Sequence, residues 1–248
     1  FDAAMNPAGT LGVFTTAKDR STELRDAVRA HAGNGTANGL WAQVTGGKTK
    51  LKGISTGAQD LDLDTDAYGL AVGGEAAVQN ITLGAAFMGG SGKTENDSVA
   101  GKDDFNYYGL SLYAKTQVQG IDLEGDVSAA WLKSDLTVGG ADDVDTDTTT
   151  AVYSLGIQAK KTFNLGVDVT PFIGMDVYHI KSDGFTTNHG VSIEDANATI
   201  VEFPIGAEVK KAFQTASGFS VAPSFSLAVV PTVGSKDIDS KVRFAGAE

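Results

Sequence analysis

The stretch DFNYYGLSLYAKTQVQGIDLEGDVSAAWLK, residues 104–133, alternates residue by residue on either side of a short turn. Tyr108, Leu110, Leu112, Ala114 and Val118 share one parity, while Tyr107, Gly109, Ser111, Tyr113, Lys115 and Gln117 share the other. After Gln119-Gly120 the pattern resumes, with Ile121, Leu123, Val127, Ala129 and Trp131 on one face and Asp122, Glu124, Asp126 and Ser128 opposite. A period of two is the mark of β-strands, whose successive side chains leave on opposite faces. The two-residue connection makes the pair a hairpin. Each strand outruns the usual five or six residues. One face is apolar with aromatics near its ends, and the other is polar and charged, as in a strand that crosses a membrane with lipid outside and a wet lumen inside.

Outward from this hairpin the same pattern recurs. Nine strand-like runs follow one another at roughly 39–51, 60–77, 80–90, 104–118, 121–138, 149–163, 166–181, 197–213 and 219–233, with the start of a tenth from 241. Connections alternate: short at Val78-Gln79, Gln119-Gly120, Asn164-Leu165 and 214–218, long at 52–59, 91–103, 139–147, 182–196 and 234–240. Strict alternation fits a barrel with short periplasmic turns and longer extracellular loops. It puts the start of the first strand at the periplasmic end. The expected lipid-facing sets include Ile81/Leu83/Ala85/Phe87, Tyr153/Leu155/Ile157 and Val201/Phe203/Ile205, with Thr82, Gln158, Lys160, Asp176, Glu202 and Glu208 opposite. The fold class read from this is all-β, an antiparallel transmembrane β-barrel of which nine to ten strands are present. Alternation alone gives a sheet with two unlike faces, so a soluble β-barrel binding module is the competing reading.

Composition narrows the classes. The 248 residues include 31 Gly, 5 Pro and no Cys, with a net charge of −12. That excludes a disulfide framework or thiolate metal site, and the acidic balance argues against nucleic acid. No apolar run approaches the roughly 18 residues that a membrane helix needs. A mean hydropathy of −0.06 is what alternating strands give. Phe1-Asp2-Ala3-Ala4 lacks signal-peptide character, so export would need a signal upstream.

Residues 16–31 are expected to form the helix, with Asp19 or Ser21 as N-cap and Gly33 as the stop. At about 100° per residue, Lys18, Arg25 and Arg29 lie on one stripe, and Ala17, Leu24, Val28 and His31 on another. Sixteen residues would span about 24 Å, close to the roughly 25 Å apolar band of a barrel. The alternative is a surface helix with a solvated basic face.

The ordered set of segments resembles the autotransporter β-domain of Gram-negative outer membranes (type V secretion). AKDRSTELRDAVRAH (17–31) precedes the first strand, GLWAQVTGG (39–47) opens it, and DTDAYGLAVGGEA (64–76) forms a Gly-rich second strand. EFPIGAEVKKAF (202–213) and GFSVAPSFSLAVVPTVG (218–234) look like the later hairpin. The resemblance implies a twelve-stranded barrel, with residues 1–33 as linker with pore helix and 34–248 as barrel domain, its last strands expected beyond Glu248. It implies an N-terminal passenger, insertion by the barrel-assembly machinery, and an outer membrane of lipid and lipopolysaccharide with the passenger side at the cell surface. A small porin or structural barrel without passenger is the channel-class alternative.

Chemistry-bearing candidates are few. The acidic run Asp142-Asp143-Val144-Asp145-Thr146-Asp147 lacks the Gly and Glu positions of an EF-hand loop, and a solvated loop is the simpler reading. His31, His179 and His189 match no ligand spacing. Some autotransporters cut their passenger at an Asn-Asn pair, but Asn6 and Asn34 stand in no such pair. No enzyme activity, cofactor or metal is expected. The constellation selected is electrostatic: Lys18, Arg25 and Arg29 of the helix against Glu75, Glu124, Asp126, Glu202 and Glu208 of the lumenal face, tempered by lumenal Lys115, Lys160 and Lys210.

Overall fold

A computed structural model of the chain describes residues 7–31, 39–55, 60–96, 101–138, 144–186, 191–211, 213–214, 220–221, 224–234 and 242–244. Gly33, Asn6, Asn34, Asp142, Asp143 and His189, singled out in the sequence, lie outside them. One helix, α1 (Pro7–His31), is followed by antiparallel strands β1 (Gly39–Ser55), β2 (Asp60–Val78), β3 (Ile81–Asn96), β4 (Gly101–Val118), β5 (Ile121–Val138), β6 (Val144–Lys160) and β7 (Asp168–Ser182). Each pairs with the next. The next strand, β8, has two segments, Ala196–Glu202 and Ile205–Lys210, which pair with the two halves of β7. Pro204 interrupts it, and the Gly174 amide donates to the Pro204 carbonyl (2.8 Å). A proline has no N–H for the ladder, so a break at this position is the expected response. The ninth strand, β9 (Ser224–Val229 and Thr232–Gly234), breaks in the same way at Pro231. The start of the tenth run, Val242–Phe244, pairs with Val191–Ile193 in the β7–β8 connection. Among the described residues no strand joins β9 back to β1, and the sheet is not closed.

The turns have a simple cause. Gln119 and Gly120 both take positive φ (52° and 76°), the geometry of a type I′ turn, whose twist suits the hairpin. Strands of 16–19 residues run about 60 Å at roughly 3.4 Å per residue, so they extend well past the apolar layer. The outward face shows where. On β1 to β5 the outward residues are apolar in the half nearest the short turns, from Leu40, Val72, Leu83, Leu112 and Val127 up to Tyr68, Tyr108 and Trp131. Beyond that line Lys48 pairs with Asp66 (3.1 Å), Lys50 with Asp64 (2.6 Å) and Lys102 with Asp104. The rings of Tyr108 and Trp131 stack at 5.3 Å. Apolar residues thus face outward, Leu112 being 62% exposed, and a belt of aromatics separates them from charge. The soluble-barrel reading requires the opposite sense and is set aside by this.

Helix α1 lies inside the curled sheet and touches β1 through β7. It begins nine residues before the expected Thr16, at Pro7, whose fixed φ and missing N–H suit a first helical turn. Asp19 and Ser21 are therefore interior positions and not caps. The lumen is also less wet than the alternation implies. Val13, Phe14, Ala17, Leu24, Ala27 and Val28 of the helix are buried against Ala67, Ala86, Met88, Phe105, Leu132, Tyr178 and Ile180 of the wall. Glycines on the wall make room for aromatic rings: a Cβ at Gly84 would fall 2.1 Å from the Tyr113 ring, and one at Gly73 would fall 2.3 Å from Trp41.

Candidate functional site

The strand registers align one row across the wall. Glu75 on β2 opposes Gly84, Gly84 opposes Tyr113, and Tyr113 opposes Asp126. Asp126 opposes Gly156, Gly156 opposes Asp176, and Asp176 opposes Glu202. Because all share the lumenal parity, the row sets Asp126, Asp176 and Glu202 on neighbouring strands facing the helix, with the bare backbone of Gly156 between the first two.

The basic stripe of α1 meets this row. Arg25 is fully buried, and its Nε donates to both oxygens of Asp126 (3.1 and 2.9 Å) while Nη1 stands 3.5 Å from Asp176. Arg29, one turn on, donates in a fork to Asp176, at 2.6 Å from Nη2 and 3.2 Å from Nη1. Its Nη2 is also 3.7 Å from Asp126. The two guanidiniums thus share two buried carboxylates. Lys18 donates to Glu202 at 2.7 Å. Tyr178, two residues beyond Asp176, lies under the Arg25 guanidinium (4.9 Å) and near the Lys18 ammonium (5.2 Å). Its hydroxyl is hydrogen-bonded with Thr22 at 3.1 Å. Ser21 and Ser154 approach at 3.3 Å between their hydroxyls.

Of the eight residues selected in the sequence, five converge here: Lys18, Arg25, Arg29, Asp126 and Glu202. Glu124 does not; it faces Lys160 (2.6 Å) and Lys115 (3.9 Å), both on the wall. The alternation could place Glu124 in the lumen but not rank it against the wall's own lysines. Glu75 accepts a hydrogen bond from Tyr113 (3.3 Å), whose hydroxyl in turn accepts from Trp41 (3.1 Å). Glu208 is half-buried between Thr170 and Ser226, with no ion pair to the helix among the described residues. Asp176 was missed as a helix partner, although it sits on the lumenal parity of β7. Only the register shows that it and Asp126 flank the same glycine. His31 stacks on Trp41 (4.6 Å) and contacts Gln43 (3.0 Å) where the helix leads toward β1. Among the described residues no group of His, Asp and Glu has a metal-holding arrangement.

A second side of α1 is acidic. Asp19, Glu23 and Asp26 face Gln43, Thr45 and Thr49 of β1 across a cleft of about 450 Å³. Glu23 accepts from Arg20 (2.7 Å) and Asp19 from Thr49 (3.4 Å). The helix therefore carries its positive stripe on the β5–β8 wall and its negative stripe toward β1, which fixes its rotation.

A family model described as "Autotransporter beta-domain" matches residues 40–248. Among solved structures, the chain is similar to the translocator domain of the autotransporter NalP from Neisseria meningitidis, with 13% identity over 97% of this chain and 98% of that one and a TM-score of 0.67. It is also similar to the β-domain of the Bordetella autotransporter BrkA, at 18% identity over 80% and 81% with a TM-score of 0.56. The transport unit of AIDA-I from Escherichia coli matches at 13% identity over 91% and 82%, with a TM-score of 0.52. No curated protein sequence matches significantly.

Proposed function

Because the chain belongs to the autotransporter β-domain family, and is thus a Gram-negative outer-membrane translocator barrel for an N-terminal passenger, we propose that α1 is the linker to that passenger, seated in the pore as a plug. The passenger side is the cell surface. The observation that carries this reading is the buried cluster Arg25–Asp126–Asp176–Arg29, which ties the helix to the wall. A closed hydrogen-bonded wall is what lipid requires, and a lumen with polar rows lets an extended or helical segment pass. The helix C-terminus lies beside Trp41 near the start of β1, at the end bearing the short turns, so its N-terminus points toward the long loops. That is the direction expected of a linker whose passenger lies outside.

Lipid meets the apolar band, and the charged collar above the Tyr68–Tyr108–Trp131 level stands at the depth of lipopolysaccharide headgroups. Insertion relies on the barrel-assembly machinery. The domain carries out no catalysis, and the side chains meeting at the helix serve binding alone. The test is single-channel recording of the purified domain, native and with Arg25→Glu and Arg29→Glu. Reversal sets four carboxylates together, expels the helix and raises conductance. Unchanged conductance with a correctly inserted barrel refutes the plug.

A further inference from the structure

We propose that the Asp126–Gly156–Asp176 row is a register stop: it recognises two guanidiniums one helical turn apart and fixes the axial position at which the linker comes to rest. The inference rests on the plug reading and adds a specificity-determining residue, Gly156, to it.

The importance of Gly156 lies in the space above it. A Cβ built there would fall 2.6 Å from Asp126 Oδ1, 2.7 Å from Arg25 Nε and 2.8 Å from Arg29 Nη2. These are three different charged groups, two of them on the helix. Any side chain at this position must displace the ends of these three flexible side chains, two of which tie the helix to the wall. Gly156 takes no positive φ, so no backbone conformation demands glycine at this position. The strands on either side carry the two aspartates in direct register with it. The result is a notch one residue wide, with a carboxylate on each rim and an aromatic face, Tyr178, beside it.

The notch is matched to arginine at i and i+4. Side chains four apart stack on one helix face about 6 Å apart along the axis. The Arg29 fork takes Asp176 with two nitrogens, and Arg25 takes both oxygens of Asp126 through Nε. A planar fork satisfies two acceptors in fixed directions, whereas an ammonium is a point charge without that geometry. The apolar contacts hold the helix against the wall but are non-directional, and much of that wall is alanine. They select an axial position less sharply than two oriented guanidiniums between two carboxylates.

The chain has no cysteine, which supplies a clean readout. Ser21 and Ser154 touch, so S21C/S154C reports the native register by disulfide formation, and A17C/S154C reports a helix displaced by one turn. In the refolded, membrane-inserted domain, the 21–154 bond forms and the 17–154 bond does not. With Gly156→Ala added, and separately with R25K/R29K, the 21–154 yield should fall several-fold and the 17–154 bond should appear. The lysine pair keeps the charge and a flexible apolar stem, so it decides the matter if the G156A barrel does not insert. An unchanged 21–154 bond with no 17–154 bond overturns the register stop. Loss of both bonds with a rise in conductance also overturns it, since the row then holds the plug without setting its position; the plug reading survives that result. Charge reversal without any conductance change sinks the plug reading instead.

Discussion

Arg25→Met is the substitution that tests the buried cluster most sharply. Methionine fills the channel left by the arginine stem and still packs on Tyr178, so volume is nearly conserved. What disappears is the charge. Asp126 then keeps Ser128 Oγ at 3.4 Å and Arg29 Nη2 at 3.7 Å, and Arg29 must serve two carboxylates. A pair of unit charges near 3 Å is worth about 5 kcal/mol at an effective dielectric of 20. The desolvation of Arg25 is saved, but Asp126 stays buried, and removal of one partner of such a pair costs about 3–5 kcal/mol. That equals two to three and a half orders of magnitude in the opening equilibrium of the helix. Hydrogen exchange followed by mass spectrometry on peptides within residues 17–31 reads this directly, as an acceleration of about two to three and a half orders of magnitude. The companion R25M/D126N removes the stranded charge and keeps the Ser128 contact, so most of the protection should return. Were R25M to accelerate exchange less than about fivefold, under ~1 kcal/mol, the cluster would not hold the helix. A double variant as exposed as R25M alone would show that lost packing, and not charge, explains the effect.

Leu112→Arg places a cation on the lipid face near the middle of β4 and should destabilise the inserted barrel by about 2–4 kcal/mol in urea titrations with lipid vesicles; a neutral result would put that face in water. Gly84→Val drives the Tyr113 ring from its seat and breaks the Trp41–Tyr113–Glu75 chain, costing about 1–3 kcal/mol. In a W131F background Trp41 is the remaining tryptophan of the two, and its emission should shift to the red; an unmoved spectrum refutes the ring's displacement. Lys160→Ala leaves buried Glu124 with Lys115 at 3.9 Å and should cost about 1–3 kcal/mol of barrel stability, recovered by adding E124Q. Helix exchange should not change in that variant, because Glu124 belongs to the wall and not to the helix seat.

Most of the barrel was legible because alternation is a local signal: each strand states its own two faces, as Leu110 and Ser111 do. The sense of the faces needed strand length and loop asymmetry, and the exposure of Leu112 and Val127 agrees with it. The basic stripe was legible because 18, 25 and 29 coincide on a helix. The acidic partners were not equally so. Parity puts Glu124, Asp126, Asp176, Glu202 and Glu208 in one lumen, but which of them meets the helix depends on cross-strand register, a long-range property of turn lengths. Two residues along β5 separate Asp126, which holds Arg25, from Glu124, which holds Lys160. Gly156 gave no signal at all, since a glycine in a strand reads only as a weak position. The start of the helix at Pro7 was not legible because the residues before Thr16 are small and Gly-containing, and packing inside the barrel, not local propensity, extends the helix back to it.

The spacing of the three basic residues follows from the slant of the row they meet. From Asp126 on β5 to Glu202 on β8 is three strand steps, about 14 Å at 4.8 Å each. Strands of a membrane barrel tilt by about 35–45°, so a row perpendicular to them climbs about 8–10 Å along the barrel axis over those steps. On the helix, Arg25 and Lys18 are seven residues apart, a rise of about 10.5 Å. The two climbs agree if the helix lies along the barrel axis, and one stripe can then meet carboxylates on β5, β7 and β8 in turn. Lysine suffices at the upper end, where Glu202 offers a single oxygen at 2.7 Å. Arginine is needed at the lower end, where two carboxylates flank one notch. Transferring the upper cation by one turn, in K18A/T22K, should therefore leave Glu202 without its partner and restore little of the loss seen in K18A alone. If T22K restored the full protection of the helix, the charge of the stripe would matter and its match to the slanted row would not.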